Sequence, residues 1–253
     1  MSCSNLVGRL PNRNTVFGSW NKNPDRHLVR VEPGTNRIVL HAPPAAAAGV
    51  LPFCIVDGKI FFLLGREAPR QNFSGAGTWC DFGGGMHGPR NSTEIATQEL
   101  LEETIGSLID DPGKLLAHIV DNLKLFVCSN VGKKVPYHMY IVQIPYADIP
   151  SVFRWRIRVA RKCRNMDDSN GSHERQLLKQ MQPAAFQVNG KVRKAWLEKD
   201  DVQWVSAEHL NRFPLRWEFS ATLVDHDIVR RLRKMIVSPR TPYHKSDVIS
   251  LSK

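Results

Sequence analysis

Hydrophobic positions are sparse through residues 1–45, a stretch rich in Asn, Arg, Gly and Pro, and become regular from Gly49 onward. The early stretch reads as an N-terminal extension that packs loosely or carries a short hairpin, with Arg37 to His41 as its apolar run and Phe17 and Trp20 as anchors. Val50 to Val56 and Lys59 to Leu64 are apolar runs joined by Asp57-Gly58, which predicts a β-hairpin. Arg66 to Gly77 is polar and reads as a loop, and Thr78 to Phe82 as a short strand. Leu115 to Cys128 and Tyr137 to Ile144 predict two more strands, with a lysine-bearing loop at Val131 to Lys134 between them. Phe213 to Val237 carries Trp217, Leu223, Ile228, Leu232 and Ile236 at helical spacings and stops before Pro239, which predicts one long amphipathic helix.

The polar positions gather where the chain reads GGGMHGPRNSTEIATQELLEETIG, Gly83 to Gly106. Asn91 or Ser92 caps a helix here, with capping-box spacing from Asn91 to Glu94, and Ile95, Ala96, Leu100 and Leu101 form its apolar face. Glu99, Glu102 and Glu103 stand at i, i+3 and i+4. Like charges at that spacing repel, so the arrangement asks for a compensating cation, and hard divalent ions suit carboxylate oxygens. The glycines before the helix let backbone approach a ligand closely.

Position by position, this stretch resembles the Nudix box, whose pattern runs Gly, five residues, Glu, seven residues, Arg-Glu-hydrophobic-x-Glu-Glu-x-Gly-hydrophobic. Gly84 matches its first glycine, and Glu99, Leu100, Glu102 and Glu103 match its core. Arg90 stands where the box has its first Glu, Gln98 where it has Arg, and Ile105 where it has Gly. The resemblance implies an α/β/α sandwich around a mixed β-sheet, and hydrolysis of a diphosphate linkage in a nucleoside diphosphate derivative. It also implies Mg²⁺ or Mn²⁺ held by Glu99, Glu102, Glu103 and the carbonyl of Gly83, with those three glutamates as catalytic residues. Family members place the general base variously; in the late segment Glu198 to Val205 the candidates are Glu198 and its rival Asp201. Trp79, on the strand entering the box, is a candidate to sit beside a nucleobase, and Arg66 and Arg90 are candidates to touch phosphates.

Charge adds a partner to this picture. Thirty-five basic against 24 acidic residues give a net charge of +11, which favours a polyanion. Arg154, Arg156, Arg158, Arg161, Lys162 and Arg164 concentrate the charge, interleaved with Trp155, Ile157 and Val159. On a strand, Arg154, Arg156 and Arg158 share one face; on a helix they spread. As a row beside aromatics they would clamp phosphates and stack bases, which favours RNA, and the resemblance, through the decapping members of the family, then implies an mRNA cap as one candidate substrate; as a solvated edge strand they would do neither.

The five cysteines are scattered without a C-x-x-C pair and read as free thiols in a reducing compartment. With no leader or membrane segment legible, a cytoplasmic location, or nuclear if imported, is expected, with no membrane partner. The division expected is an extension at 1–45, a Nudix-like domain at 46–237 with a basic insertion near 151–190, and a basic tail at 238–253. A homodimer is compatible with the family. The alternative to a hydrolase is a degenerate module that binds nucleotide or RNA without cleaving it, for which neutral Gln98 is the main argument.

Overall fold

In the computed structural model of the chain, residues 45–70, 73–86, 91–130, 136–164 and 194–237 are described. The backbone of five short strands is described as well: Val16–Ser19 (β1), His27–Glu32 (β2), Arg37–Leu40 (β3), Gln187–Val188 (β10) and Lys191–Val192 (β11). The expectations for Arg90, for the loop at 131–134 and for the tail lie outside the described residues, as do the side chains of Phe17 and Trp20.

The hairpin expected at Asp57-Gly58 forms between Ala47–Val56 (β4) and Lys59–Glu67 (β5). Asp57 and Gly58 have φ of 50° and 71°, the paired left-handed residues of a type I′ turn, whose twist matches that of the strands. Pairing runs from Val56–Lys59 only as far as Phe53–Phe62. Beyond that rung the two strands part. Trp79–Cys80 (β6) pairs with β5 and Phe82–Gly85 (β7) with β4, so the two short strands fill the fork. Pro52 sits at the crotch. The carbonyl of Phe53 accepts from Ile144 on the opposite side, so by alternation Pro52 faces the fork, where it has no N–H to offer.

Tyr137–Gln143 (β9) lies parallel to β4, Leu123–Ser129 (β8) antiparallel to β9, and Lys199–Ser206 (β12) closes the other edge against β5. The strands β1, β2 and β3 continue the sheet beyond β8, giving a mixed sheet of ten strands among the described residues. One face is covered by Ser92–Glu103 (α1), Pro112–Asn122 (α2) and Ile149–Arg164 (α3), around a core that includes Phe82, Leu100, Phe126, Tyr140 and Phe153. The other face is covered by Trp217–Asp225 (α4) and Ile228–Val237 (α5), around Phe53, Phe62, Ile141, Phe219 and Leu232. Each such fully buried side chain contributes about 1.5–3 kcal/mol relative to exposure. The α/β/α sandwich around a mixed sheet expected from the sequence is the architecture observed.

Three element expectations are corrected. The front of Leu115 to Cys128 is helix α2: Asp111 caps it through Lys114 N–H at 2.7 Å, Pro112 opens it, and Leu115, Ile119 and Val120 bury at helical spacing. The arginine-rich segment is helix α3, on which Phe153, Ile157 and Ala160 face the core, so Arg154, Arg156 and Arg158 form no strand row. The long C-terminal helix is two helices, broken at His226 and Asp227, the latter with φ of 50°.

Candidate functional site

Helix α1 starts with the capping box foreseen at Asn91. Its Oδ1 accepts from Glu94 N–H at 2.9 Å, and Glu94 Oε2 accepts from Asn91 N–H at 3.1 Å. With Ile95, Ala96, Leu100 and Leu101 buried, Glu99 and Glu103 turn toward β7. A Cβ on Gly84 would lie 2.6 Å from the Glu99 carboxyl carbon, so only glycine leaves that acid its seat. On the opposite face, a Cβ on Gly83 would meet Gly49 Cα at 2.7 Å and the Ala48 carbonyl at 2.8 Å. Gly83 N–H donates to Glu103 Oε2 at 2.8 Å. Gln98 Nε2 donates to Glu102 Oε1 at 2.6 Å, a neutral contact where the box pattern has arginine.

The helix ends through two left-handed residues, Ile105 with φ of 53° and Gly106 with φ of 60°. The first is the position where the box pattern has glycine. A β-branched residue takes this costly backbone here because its side chain is wholly buried and Arg156 Nη1 donates to its carbonyl at 2.8 Å.

Across the fork, Lys199 reaches Glu103. It pairs with Glu67 in the β12–β5 register, next to a bulge between Lys199 and Asp201. Its Nζ lies 2.7 Å from Glu67 Oε1, 3.2 Å from Glu103 Oε1 and 3.1 Å from Cys80 Sγ. Lys199 is 1% exposed, and Glu67 and Glu103 are each 3% exposed. A Cβ on Gly65 would come within 3.0 Å of the lysine stem, so the missing side chain there is what lets Lys199 pass. Glu67 has further partners: Arg70 Nη2 at 2.9 Å and Arg216 Nη1 at 3.6 Å.

Two carboxylates therefore share one buried ammonium, and they respond differently. Burial pushes the Glu103 carboxyl up to about 8, against the pull of Lys199 and with added repulsion from Glu67 and Glu99. Burial also opposes the Glu67 charge, but Lys199, Cys80 and Arg70 outweigh it and hold its pKa below the ordinary value. For Lys199, contacts with Cys80, Glu103 and Glu67 overcome burial and hold the ammonium well above its usual pKa. Burial pushes the Cys80 thiol up to about 12, so it stays protonated.

On the other side of β7 lies a cavity of about 250 Å³. Gly83, Gly84 and Gly85 form one wall, Tyr137 and Met139 of β9 another, and Arg216, Phe219 and Thr222 a third. Tyr137 Oη donates to buried Asp81 at 2.6 Å, and the hydroxyls of Ser129 and Thr222 meet at 2.9 Å. Arg216 lines the cavity while its guanidinium reaches both Glu218 and Glu67, linking the cavity to the buried acids.

The structure thus brings Gly83, Glu99 and Glu103 together, with Glu102 on the next turn position held by Gln98. Glu198 does not face them: it pairs with Arg70 at 3.0 Å, and it is its neighbour Lys199 that points inward. Asp201 Oδ1 accepts from its own segment at Val202 N–H and lies 3.7 Å from Arg154. Trp79 is a core residue, 5% exposed and edge-on to Phe213 at 5.6 Å, not a wall of the cavity. Arg66 is held by Asp200 at 2.7 Å. Arg154 and Arg158 are exposed on α3, whereas Arg156 is drawn inward to Ile105 and Asp110. Glu67, Asp81, Tyr137, Lys199 and Arg216 belong to the site and carry no motif that marks them in the sequence.

The divalent ion implied by the resemblance is fitted only in part. Carboxylates beside a glycine turn are the right hard donors. Both oxygens of Glu103, however, are already engaged: one accepts from Gly83 N–H and the other lies 3.2 Å from the Lys199 ammonium. Among the described residues no three His, Cys, Asp or Glu side chains gather as a metal site.

Fold and site together define an α/β/α sandwich in which a glycine strand meets an acidic helix. No protein-family model matches the chain, and no curated protein matches it in sequence. Among solved structures it is similar to a Nudix hydrolase from M. smegmatis, RenU, at 14% identity over 79% of this chain and 91% of that one, with a TM-score of 0.40. It is similar to the Nudix domain of Shewanella oneidensis NrtR, solved with ADP-ribose, at 11% identity over 77% and 90%, with a TM-score of 0.40. A C. elegans Ap4A hydrolase aligns at 14% identity over 76% and 95%, with a TM-score of 0.34. Among the described residues no helix is long and apolar enough to cross a membrane.

Proposed function

We propose that the chain is a Nudix-type pyrophosphohydrolase that takes a nucleoside diphosphate derivative and cleaves its diphosphate linkage with water. The observation that supports it best is the seating of Glu99 and Glu103 of α1 on the glycine strand Gly83–Gly85, whose far side forms a wall of the cavity. Glu99 and Glu102 would hold Mg²⁺ or Mn²⁺; such an ion supplies charge neutralisation at the diphosphate and a more acidic water. The glycine strand lets phosphate oxygens approach backbone, and Arg216 offers them a guanidinium from the opposite wall. Met139 and Phe219 supply apolar surface, while Tyr137 with Asp81 and the Ser129–Thr222 hydroxyl pair supply directional contacts for a sugar or base.

Capped RNA is the finer reading. The exposed side of α3 presents Arg154, Arg158, Arg161 and Lys162 with Trp155, which is 45% exposed, a basic surface with an aromatic that suits a polynucleotide backbone. A second reading, binding without cleavage, is supported by the neutral Gln98–Glu102 contact and by the commitment of Glu103 to Lys199.

The test is product release from ADP-ribose, dinucleoside polyphosphates and capped RNA, with and without Mg²⁺ or Mn²⁺, and with Glu102→Gln as control. Ion-dependent release lost in the variant is expected. Tight binding with no release from any compound would replace the hydrolase by the binding module. RNA affinity that is independent of salt, or unchanged in Arg154→Gln/Arg158→Gln, would remove RNA from the list of substrates.

A further inference from the structure

The compensating cation that the acidic face of α1 calls for is supplied in part by the chain itself. We propose that Lys199 is the resident cation of Glu103, so that Glu103 serves the protein's internal ion network and is not a ligand to a divalent ion. The inference rests on the reading of α1 as the ion-binding element and narrows it to Glu99 and Glu102.

Four observations carry it. Glu103 is saturated from two sides: Gly83 N–H on Oε2 at 2.8 Å and Lys199 Nζ 3.2 Å from Oε1. The ammonium is also anchored 2.7 Å from Glu67, so it is not a mobile side chain that an ion would sweep aside. Its route is built into the sheet, because Gly65 leaves the space through which the lysine stem runs. Finally, the side chain that α1 itself sets against these acids, Gln98, is neutral and donates to Glu102. Lys199 delivers a positive charge to the same helix from β12. A divalent ion on Glu103 would stand beside this buried ammonium, and like charges in a low-dielectric interior repel strongly. Losing Lys199 would leave Glu67 and Glu103 buried together without their shared cation, which its place in the sheet prevents.

The test uses the full chain and Mn²⁺ alone, read by electron paramagnetic resonance of the free ion and by calorimetry, so that no catalytic turnover is involved. In Glu103→Gln, which keeps the side-chain length and an acceptor oxygen, the Mn²⁺ dissociation constant should change by less than about twofold, whereas Glu102→Gln should weaken it about tenfold or more. In Lys199→Met, with folding verified by circular dichroism, an added or tighter Mn²⁺ site should appear and vanish again in Lys199→Met/Glu103→Gln. Weakening by Glu103→Gln equal to that by Glu102→Gln overturns the proposal, and so does a folded Lys199→Met protein with unaltered Mn²⁺ binding. If the unaltered chain binds no Mn²⁺, the hydrolase reading falls separately. Lys199 as resident cation is then supported by a gain of Mn²⁺ binding in Lys199→Met and refuted by its absence.

Discussion

Lys199 and Glu103 lie on elements nearly a hundred residues apart in sequence, yet their charged atoms are 3.2 Å apart in a place almost closed to water. The contact joins the edge strand of the sheet to the helix that carries the acids. Much of what can be tested follows from it.

Replacing Lys199 by Met removes the ammonium and leaves Glu67 and Glu103 buried side by side. Breaking a buried ion pair from one side typically costs about 3–5 kcal/mol. Urea unfolding at neutral pH should show a loss of that order. At pH 5 the deficit should shrink, since the orphaned Glu67 carboxylate then takes up a proton.

The Glu103 carboxyl sets a second expectation, this time for pH. Its folded pKa, about 8, lies above the unfolded value of a glutamate. The folded state therefore binds the extra proton between about pH 4.5 and 8, and by linkage this group's contribution to stability is full below that window and is lost as pH rises through it. Thermal melts from pH 5 to 9 should show the unaltered chain losing more stability with rising pH than Glu103→Gln. Parallel curves would mean that Glu103 titrates as an ordinary carboxyl.

Gly84→Ala puts a methyl 2.6 Å from the Glu99 carboxyl carbon. The acid is the far end of a flexible side chain and gives way, so the stability loss should stay at about 1 kcal/mol, the ordinary size for a point substitution. Mn²⁺ affinity and turnover should fall about tenfold or more, because Glu99 loses its seat. Gly83→Ala is different: its methyl meets backbone at 2.7 Å and 2.8 Å, and loss of folded protein is the expected outcome.

Arg216→Met keeps the stem of the side chain but removes the guanidinium that lines the cavity. Binding of ADP-ribose, followed by calorimetry, should weaken about tenfold or more, with a shallower dependence on salt. Unchanged affinity would place the phosphates elsewhere than the wall formed by Arg216.

The parts of this molecule legible in sequence were those with a local signature. Asp57-Gly58 specifies its own turn, and Asn91 with Glu94 specifies its own cap. Glu99, Glu102 and Glu103 announce a charged helix face by spacing alone. Helix α2 was missed because Leu115 to Cys128 is apolar enough to satisfy a strand, and the signal that breaks the tie is the cap at Asp111 with Pro112 behind it. The arginines of α3 alternate with apolar residues as a strand would, yet Phe153, Ile157 and Ala160 recur at helical spacing. Within the site, Lys199 was illegible: in Glu198-Lys199-Asp200-Asp201 it looks like one more solvated charge. Only the bulge in β12 decides that Lys199 faces inward and Glu198 outward to Arg70. Likewise Glu67 and Arg216 acquire their meaning from a fork that no short segment encodes.

That fork has its own safeguard. If β4 and β5 zipped further, their next hydrogen-bonded rung would join Pro52 to Leu63, and Pro52 has no hydrogen to give. The hairpin pairing therefore has a built-in stop in the sheet: it runs from the turn to Phe53–Phe62 and leaves two edges of backbone that β6 and β7 take up. A zipper with one tooth missing is what keeps a berth for the glycine strand.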